Sequence, residues 1–236
     1  MALIQSLDPS DDFPPTSEAL DYPNGLLAIG GELSPARLLR AYRRGIFPWF
    51  ESPQPVLWWT PDPRSVLFPD ELHISRTLRR TLRRNTFELS TDTRFTEVMQ
   101  ACAALRDNGP GTWIDDAMIG AYSELHALGH AHSVEVSIDG ELTGGLYGVA
   151  LGRVFFGESM FSRHSDASKV ALVALVQLLK AAGFAMIDCQ VESEHLNSLG
   201  ARNISRLDFE DRLAQNIYAE PAPDPWALPA RCGALL

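Results

Sequence analysis

The stretch that most limits the fold is Ala167 to Ala182, which is almost wholly apolar. Wound as a helix, it leaves Lys169, Gln177 and Lys180 as a narrow polar stripe, so the rest of its surface must be covered by protein. Asp166 or Ser165 offers an N-cap and Gly183 a stop. The preceding sequence reads as a β-meander. Val134 to Ile138 alternates, Asp139-Gly140 is a hairpin signal, and Leu142 to Ala150 and Val154 to Phe161 read as strands. A strand from Ala185 to Val191 and a last short helix near His195 to Leu199, ended by Gly200, follow the apolar helix.

Upstream, helices are predicted over Ser75 to Arg84, Phe95 to Arg106 and Asp115 to Leu128, with an extended stretch from Phe87 to Ser90. The loop Asn108-Gly109-Pro110-Gly111-Thr112-Trp113 joins the last two helices. Residues 1–62 are rich in proline, glycine and aromatics. They hold three of the five tryptophans and one clear helix, Pro35 to Arg44, with Ser34 at the N-cap and Gly45 past its end. Thr60-Pro61-Asp62-Pro63 is a plausible boundary, because closely spaced prolines interrupt helix and sheet alike. The reading is a small N-terminal domain, 1–62, followed by a larger one, 63–236. Helices, an antiparallel meander, then helix, strand and helix suit an α+β fold of the N-acetyltransferase-like (GNAT) kind, with a mixed, mostly antiparallel sheet.

Charge narrows the function. The net charge of -10 argues against a generic nucleic-acid binder. Yet Arg76, Arg79, Arg80, Arg83 and Arg84 fall in one short segment and share one helix face. No acidic residue is interleaved among them. Leu78 and Leu82 point the other way. A solvated surface helix is the plain reading, but five like charges repel unless an anion arrives, which favours contact with a phosphate backbone. Arg37, Arg40, Arg43 and Arg44 are candidates to extend that surface. No stretch is apolar enough to span a membrane, no signal peptide is evident, and three scattered cysteines fit a reducing cytoplasm.

Trp49 and Trp113 lie in glycine- and proline-punctuated segments, where an aromatic ring can stack on a base or simply pack. Asp188 and Gln190 break an apolar strand and, by the two-residue period, share a face. Buried there, they are costly unless paired. They form either a satisfied core pair or the floor of a site that holds an amine. Glu158 lies in Gly157-Glu158-Ser159-Met160-Phe161-Ser162, at the end of the meander. His126, His130 and His132 straddle a helix end and a strand start and make a poor metal set. No metal and no cofactor are expected.

Taken in order, several segments resemble the bacterial leucyl/phenylalanyl-tRNA–protein transferases. They include Pro23-Asn24-Gly25-Leu26-Leu27-Ala28, Arg44-Gly45-Ile46-Phe47-Pro48-Trp49, Trp58-Trp59-Thr60-Pro61-Asp62-Pro63-Arg64, Gly111-Thr112-Trp113-Ile114, Gly157 to Ser162, Asp188-Cys189-Gln190 and Ser198-Leu199-Gly200-Ala201. The resemblance implies an acetyltransferase-like fold that uses aminoacyl-tRNA as donor. Leucine or phenylalanine, less readily methionine, would be placed on proteins with N-terminal arginine or lysine, creating a degradation signal. It implies catalytic roles for Asp188 and Gln190, acceptor recognition by Glu158, and a grip on the terminal adenosine by Trp49 and Trp113. Phe155, Met160, Leu172, Leu175 and Ile187 would form the aminoacyl pocket, the arginine face would bind tRNA, and the enzyme would work as a monomer. Ser205 departs from the proline expected before Arg206. Two alternatives remain: an acyl-CoA-dependent relative, although Ser162 to Ser168 lacks the glycine of a pyrophosphate cradle, and a non-catalytic tRNA-binding module, which leaves the buried polar pair and Glu158 unexplained.

Overall fold

The computed structural model of the chain describes residues 4–8, 10–104, 114–222 and 226–236. Two sheets organise it. The smaller has the order β1-β2-β4-β3 and is built from Gln5–Leu7 (β1), Leu26–Gly30 (β2), Phe47–Pro48 (β3) and Leu57–Trp59 (β4). Helix α1, Pro35–Arg43, starts as the sequence predicts: Ser34 accepts a hydrogen bond from the Arg37 amide, and Pro35 opens the first turn.

The larger sheet follows from Arg64–Leu67 (β5), Glu88–Thr91 (β6), Ala131–Ile138 (β7), Glu141–Leu151 (β8), Val154–Ser162 (β9), Met186–Gln190 (β10) and Arg202–Ile204 (β11). Its order is β11-β5-β10-β9-β8-β7-β6. Only β9 and β10 pair in parallel; the other neighbours are antiparallel. This is the mixed, mostly antiparallel α+β arrangement expected from the element order. The β7–β8 hairpin closes on Asp139 and Gly140, both at positive φ (50° and 80°), as a two-residue type I′ turn demands.

The helices are α2 (Arg76–Arg84), α3 (Phe95–Ala104), α4 (Asp116–Ala127), α5 (Ala167–Ala181), α6 (Glu194–Asn197) and α7 (Arg206–Asn216). The apolar helix α5 lies across β7, β8 and β9 with Val170, Val173, Leu175 and Leu179 buried. It comes so close to β8 that a Cβ on Gly144 would meet the Ala167 Cβ at 2.5 Å, so β8 needs glycine there. Behind the sheet, α3 and α4 pack with α1. One buried cluster joins Leu38, Tyr42 and Trp58 to Val98, Tyr122, Tyr147 and Phe156.

Three expectations are corrected. Asp166 sits at the start of α5 but caps nothing with its side chain, because its backbone is left-handed (φ 67°). Ser162 instead accepts from the Ser168 amide at 3.2 Å, while Asp166 accepts from Thr81 on α2. The helix near His195 is not the last. Strand β11 and helix α7 follow, with Phe209 and Leu213 as the residues α7 buries. Ser205 is the α7 N-cap and accepts from the Asp208 amide at 3.1 Å, a local reason for a polar residue there. Lastly, the proline-rich boundary leads directly into strand β5, which the sequence reading did not contain.

Candidate active site

Strands β9 and β10 pair only from Met186↔Val154 to Asp188↔Phe156, although both continue. Past that point each strand is irregular. The register of β9 against β8 shifts near Gly157, and that of β10 against β5 shifts between Asp188 and Gln190. The unpaired ends face a cavity of about 250 Å³. Phe155, Met160, Leu172, Leu175 and Ile187 all line it, so the five predicted pocket residues come together. Glu158, Cys189 and Gln190 line it as well, as does His195 on α6, whose Nε2 is buried without a partner among the described residues.

Gln190 has φ 64°, a left-handed conformation that strains a non-glycine residue. With the bulge, this breaks the simple alternation that would place Asp188 and Gln190 on one face. Their side chains part. Asp188 is wholly buried and does not line the cavity. Its Oδ1 accepts from Arg64 Nε at 2.8 Å and its Oδ2 from Arg64 Nη2 at 2.6 Å. Oδ1 also accepts from the Gln190 amide at 2.9 Å, which ties the left-handed turn to the ion pair. The Arg64 guanidinium lies between the rings of Phe47 and Phe209, at 4.9 and 4.5 Å.

Gln190 reaches the cavity and donates through Nε2 to Glu158 Oε1 at 3.0 Å. Tyr42 of α1 donates to the same oxygen at 2.7 Å, and Tyr122 of α4 lies 3.1 Å from Oε2. The two tyrosine hydroxyls also touch each other. Burial pushes the Glu158 carboxyl up to about 7, against the opposing pull of the hydrogen bonds from Tyr42 and Tyr122. Arg64, Tyr42 and Tyr122 received no role from the sequence. No local signal marks them, since they come from β5, α1 and α4 and meet their partners only in the fold.

Trp49 stands 43% exposed beside the small sheet. Trp59 donates from its indole Nε1 to the Trp49 carbonyl at 2.6 Å, and the two rings lie 5.9 Å apart. Trp113 lies outside the described residues. On α2, Arg76, Arg79, Arg80, Arg83 and Arg84 are all exposed and Leu78 and Leu82 are buried, as the helical period requires. None of the five is in an ion pair among the described residues. The suggested extension onto α1 is corrected in half. Arg37 is buried and donates to the carbonyls of Asp8 and Asp11, while Arg44 holds those of Phe13 and Pro14. Arg40 and Arg43 remain exposed. His132 is engaged by Asp92, and His126 by the Ala131 carbonyl. No helix among the described residues is long and apolar enough to cross a membrane.

The site is thus a mixed sheet whose parallel strands part over an apolar cavity lined by a desolvated carboxyl and an amide. The chain belongs to the leucyl/phenylalanyl-tRNA–protein transferase family: residues 66–214 match that family's main domain and residues 31–62 its N-terminal domain. The leucyl/phenylalanyl-tRNA–protein transferase of Pseudomonas entomophila is 59% identical over 91% of this chain and 94% of its own. That of Nitrosospira multiformis is 58% identical over 95% and 97%. A solved aminoglycoside acetyltransferase from an uncultured soil metagenomic sample is 13% identical, with a TM-score of 0.38 over 57% of this chain and 91% of that one.

Proposed function

We propose that this enzyme moves leucine or phenylalanine, less readily methionine, from aminoacyl-tRNA to the α-amine of proteins that begin with arginine or lysine, marking them for degradation. One observation carries the reading: the apolar cavity bounded by Phe155, Met160, Leu172, Leu175 and Ile187 opens directly onto Gln190 and Glu158. An unbranched-at-Cβ apolar side chain fits such a space, and the reacting ester then lies beside polar groups.

The donor ester is already activated. The acceptor amine has an ordinary pKa of about 7.7–8.0, so part of it is neutral near neutral pH. Its nitrogen attacks the ester carbonyl carbon, the bond from that carbon to the ribose oxygen breaks, and the amine proton passes to the departing oxygen. Holding the two reactants in line contributes roughly 7–11 kcal/mol. Because Gln190 Nε2 donates to Glu158, the amide oxygen of Gln190 is left to accept from the amine. Asp188 serves as a positioning residue, since both its oxygens are occupied by Arg64 and it holds the Gln190 backbone. Glu158 provides the carboxyl that meets the acceptor's basic side chain.

On the donor side, the exposed arginines of α2 contact tRNA phosphates, and Trp49, with Trp113, grips the terminal adenosine. In this reading residues 1–62 are a small domain carrying Trp49, and residues 63–236 are the transferase domain. The enzyme acts as a monomer in the cytoplasm. The deciding experiment is transfer of labelled phenylalanine from Phe-tRNA to a reporter beginning with Arg and to one beginning with Ala. Strong labelling of the first alone is expected; equal labelling of both would remove the acceptor assignment.

A further inference from the structure

We propose that Glu158 is protonated in the empty enzyme, where it closes a hydrogen-bonded ring with Tyr42 and Tyr122, and that an acceptor's cationic side chain displaces this proton on binding. The two tyrosines thereby become specificity-determining residues. The proposal rests on the basic-acceptor reading above.

The argument is a count of hydrogens. Three oxygen–oxygen contacts form a closed ring: Tyr42 to Glu158 Oε1, Tyr122 to Glu158 Oε2, and Tyr42 to Tyr122. Each contact needs one hydrogen between its oxygens. The tyrosines supply two. An ionised carboxylate supplies none, and one pair of oxygens would then face each other without a proton. A protonated Glu158 supplies the third. It donates from Oε2 to Tyr122, Tyr122 donates to Tyr42, and Tyr42 donates to Oε1. Gln190 Nε2, donating to Oε1, fits the same arrangement.

The surroundings agree. Glu158 on β9 is faced by Tyr42 from α1, Tyr122 from α4 and Asp188 and Gln190 from β10; Tyr147 from β8 lies edge-on to Tyr122. Asp188 is itself an anion, and the Arg64 charge from β5 is spent on it. Among the described residues no ion pair joins Glu158 to a lysine or arginine. Burial also drives both tyrosines well above their ordinary range, so they retain their protons and the carboxyl is the group that titrates. Burial likewise places that titration near neutrality.

An empty site with a buried bare carboxylate would be unfavourable. A proton on the carboxyl avoids this and supplies the hydrogen that closes the ring. When a guanidinium or ammonium arrives, the carboxyl proton leaves to solvent and an ion pair forms, with the total charge balanced. A neutral acceptor side chain displaces nothing and gains nothing.

Two readouts test this on the full-length enzyme. Infrared difference spectra between pH 6 and pH 8 are expected to contain a protonated-carboxyl C=O band that vanishes through about pH 7, is absent in Glu158→Gln, and titrates at a different pH in Tyr42→Phe and Tyr122→Phe. In parallel, log kcat/KM for an Arg-starting acceptor is expected to climb with pH below about 7 more steeply than in Glu158→Gln, by an extra tenfold per pH unit. Absence of the band while Arg-starting acceptors are still preferred overturns the ring and leaves the acceptor reading standing. Presence of the band without any preference for Arg-starting acceptors overturns the acceptor reading, and proton displacement with it.

Discussion

Arg64 and Asp188 form a bidentate ion pair with neither side chain exposed to solvent, and they are joined across 124 residues of sequence. The pair also fixes the Gln190 amide, so one buried contact links β5, β10 and the mouth of the cavity. Arg64→Met leaves an unpaired buried carboxylate and is expected to cost about 3–5 kcal/mol in urea unfolding. The double variant Arg64→Met, Asp188→Leu should recover much of that stability, because it removes both charges. It should not recover turnover, because the Gln190 turn loses its anchor. Arg64→Lys is expected to fall short as well, since an ammonium cannot match the two parallel hydrogen bonds. Full turnover in the double variant would contradict a positioning role for the pair.

Glu158 carries a second expectation, for stability against pH. Its folded pKa of about 7 lies above its ordinary 4.5. A carboxyl raised in this way binds its proton more tightly when folded. Its contribution is therefore fully present below about 4.5 and is lost as pH rises to about 7, a fall of roughly 3 kcal/mol. The difference in unfolding free energy between the natural enzyme and Glu158→Gln should trace that fall and level off above it. A flat difference across the interval would contradict the raised value.

The parts of this enzyme that were legible in the sequence are those governed by local period. The arginine face of α2, the buried flank of α5 and the Asp139-Gly140 turn each follow from residues a few positions apart. Phe155, Met160, Leu172, Leu175 and Ile187 are named by family resemblance, and the fold gathers them around one cavity. What stayed hidden depends on distant partners. Arg64 meets Asp188, and Tyr42 meets Tyr122 and Glu158, only after β5, α1, α4 and β9 have assembled. The left-handed Gln190 contradicts the alternation that its strand suggests, because a bulge there re-aims the side chain. Helix α7 leaves little trace in the sequence because it fully buries only Phe209 and Leu213, a sparse apolar stripe.

Trp49 and Trp59 predict a graded effect on the donor. Removing the exposed Trp49 ring should weaken aminoacyl-tRNA by the roughly 1–3 kcal/mol of one base stack, about 5- to 150-fold in KM. Trp59→Phe keeps an aromatic ring but loses the hydrogen bond to the Trp49 carbonyl, so its effect should be smaller and in the same direction. Measured KM values for Phe-tRNA at fixed acceptor check both. An unchanged KM in Trp49→Ala would remove Trp49 from the donor site.

The cavity predicts a change in donor choice. Leu175 lines its wall, and Leu175→Phe fills part of the space. A phenylalanyl donor needs more of that space than a leucyl donor. Transfer from Phe-tRNA should therefore fall relative to Leu-tRNA by about 10-fold or more, in line with the roughly 1–3 kcal/mol that one methylene commands in an apolar pocket. Competition between the two charged tRNAs in one reaction gives the ratio directly. A ratio that does not move would place the donor side chain elsewhere.

The arginines of α2 predict a salt signature. Exposed and unpaired among the described residues, they can release counterions when they meet phosphate. Each such contact contributes about 0.7–0.9 to the slope of log affinity against log salt. Arg76→Gln, Arg79→Gln, Arg80→Gln, Arg83→Gln and Arg84→Gln should each weaken tRNA at low salt. Every arginine that touches phosphate should flatten the slope by roughly that amount, with the losses accumulating in multiple variants. Turnover at saturating tRNA should hold, because the side chains buried by α2 are Leu78 and Leu82 and no arginine of this face lines the cavity. Arg40→Gln and Arg43→Gln, on the exposed side of α1, then define how far the surface extends. Binding of uncharged tRNA measured at several salt concentrations resolves the set. A slope that survives all five α2 substitutions would mean that tRNA approaches by another face.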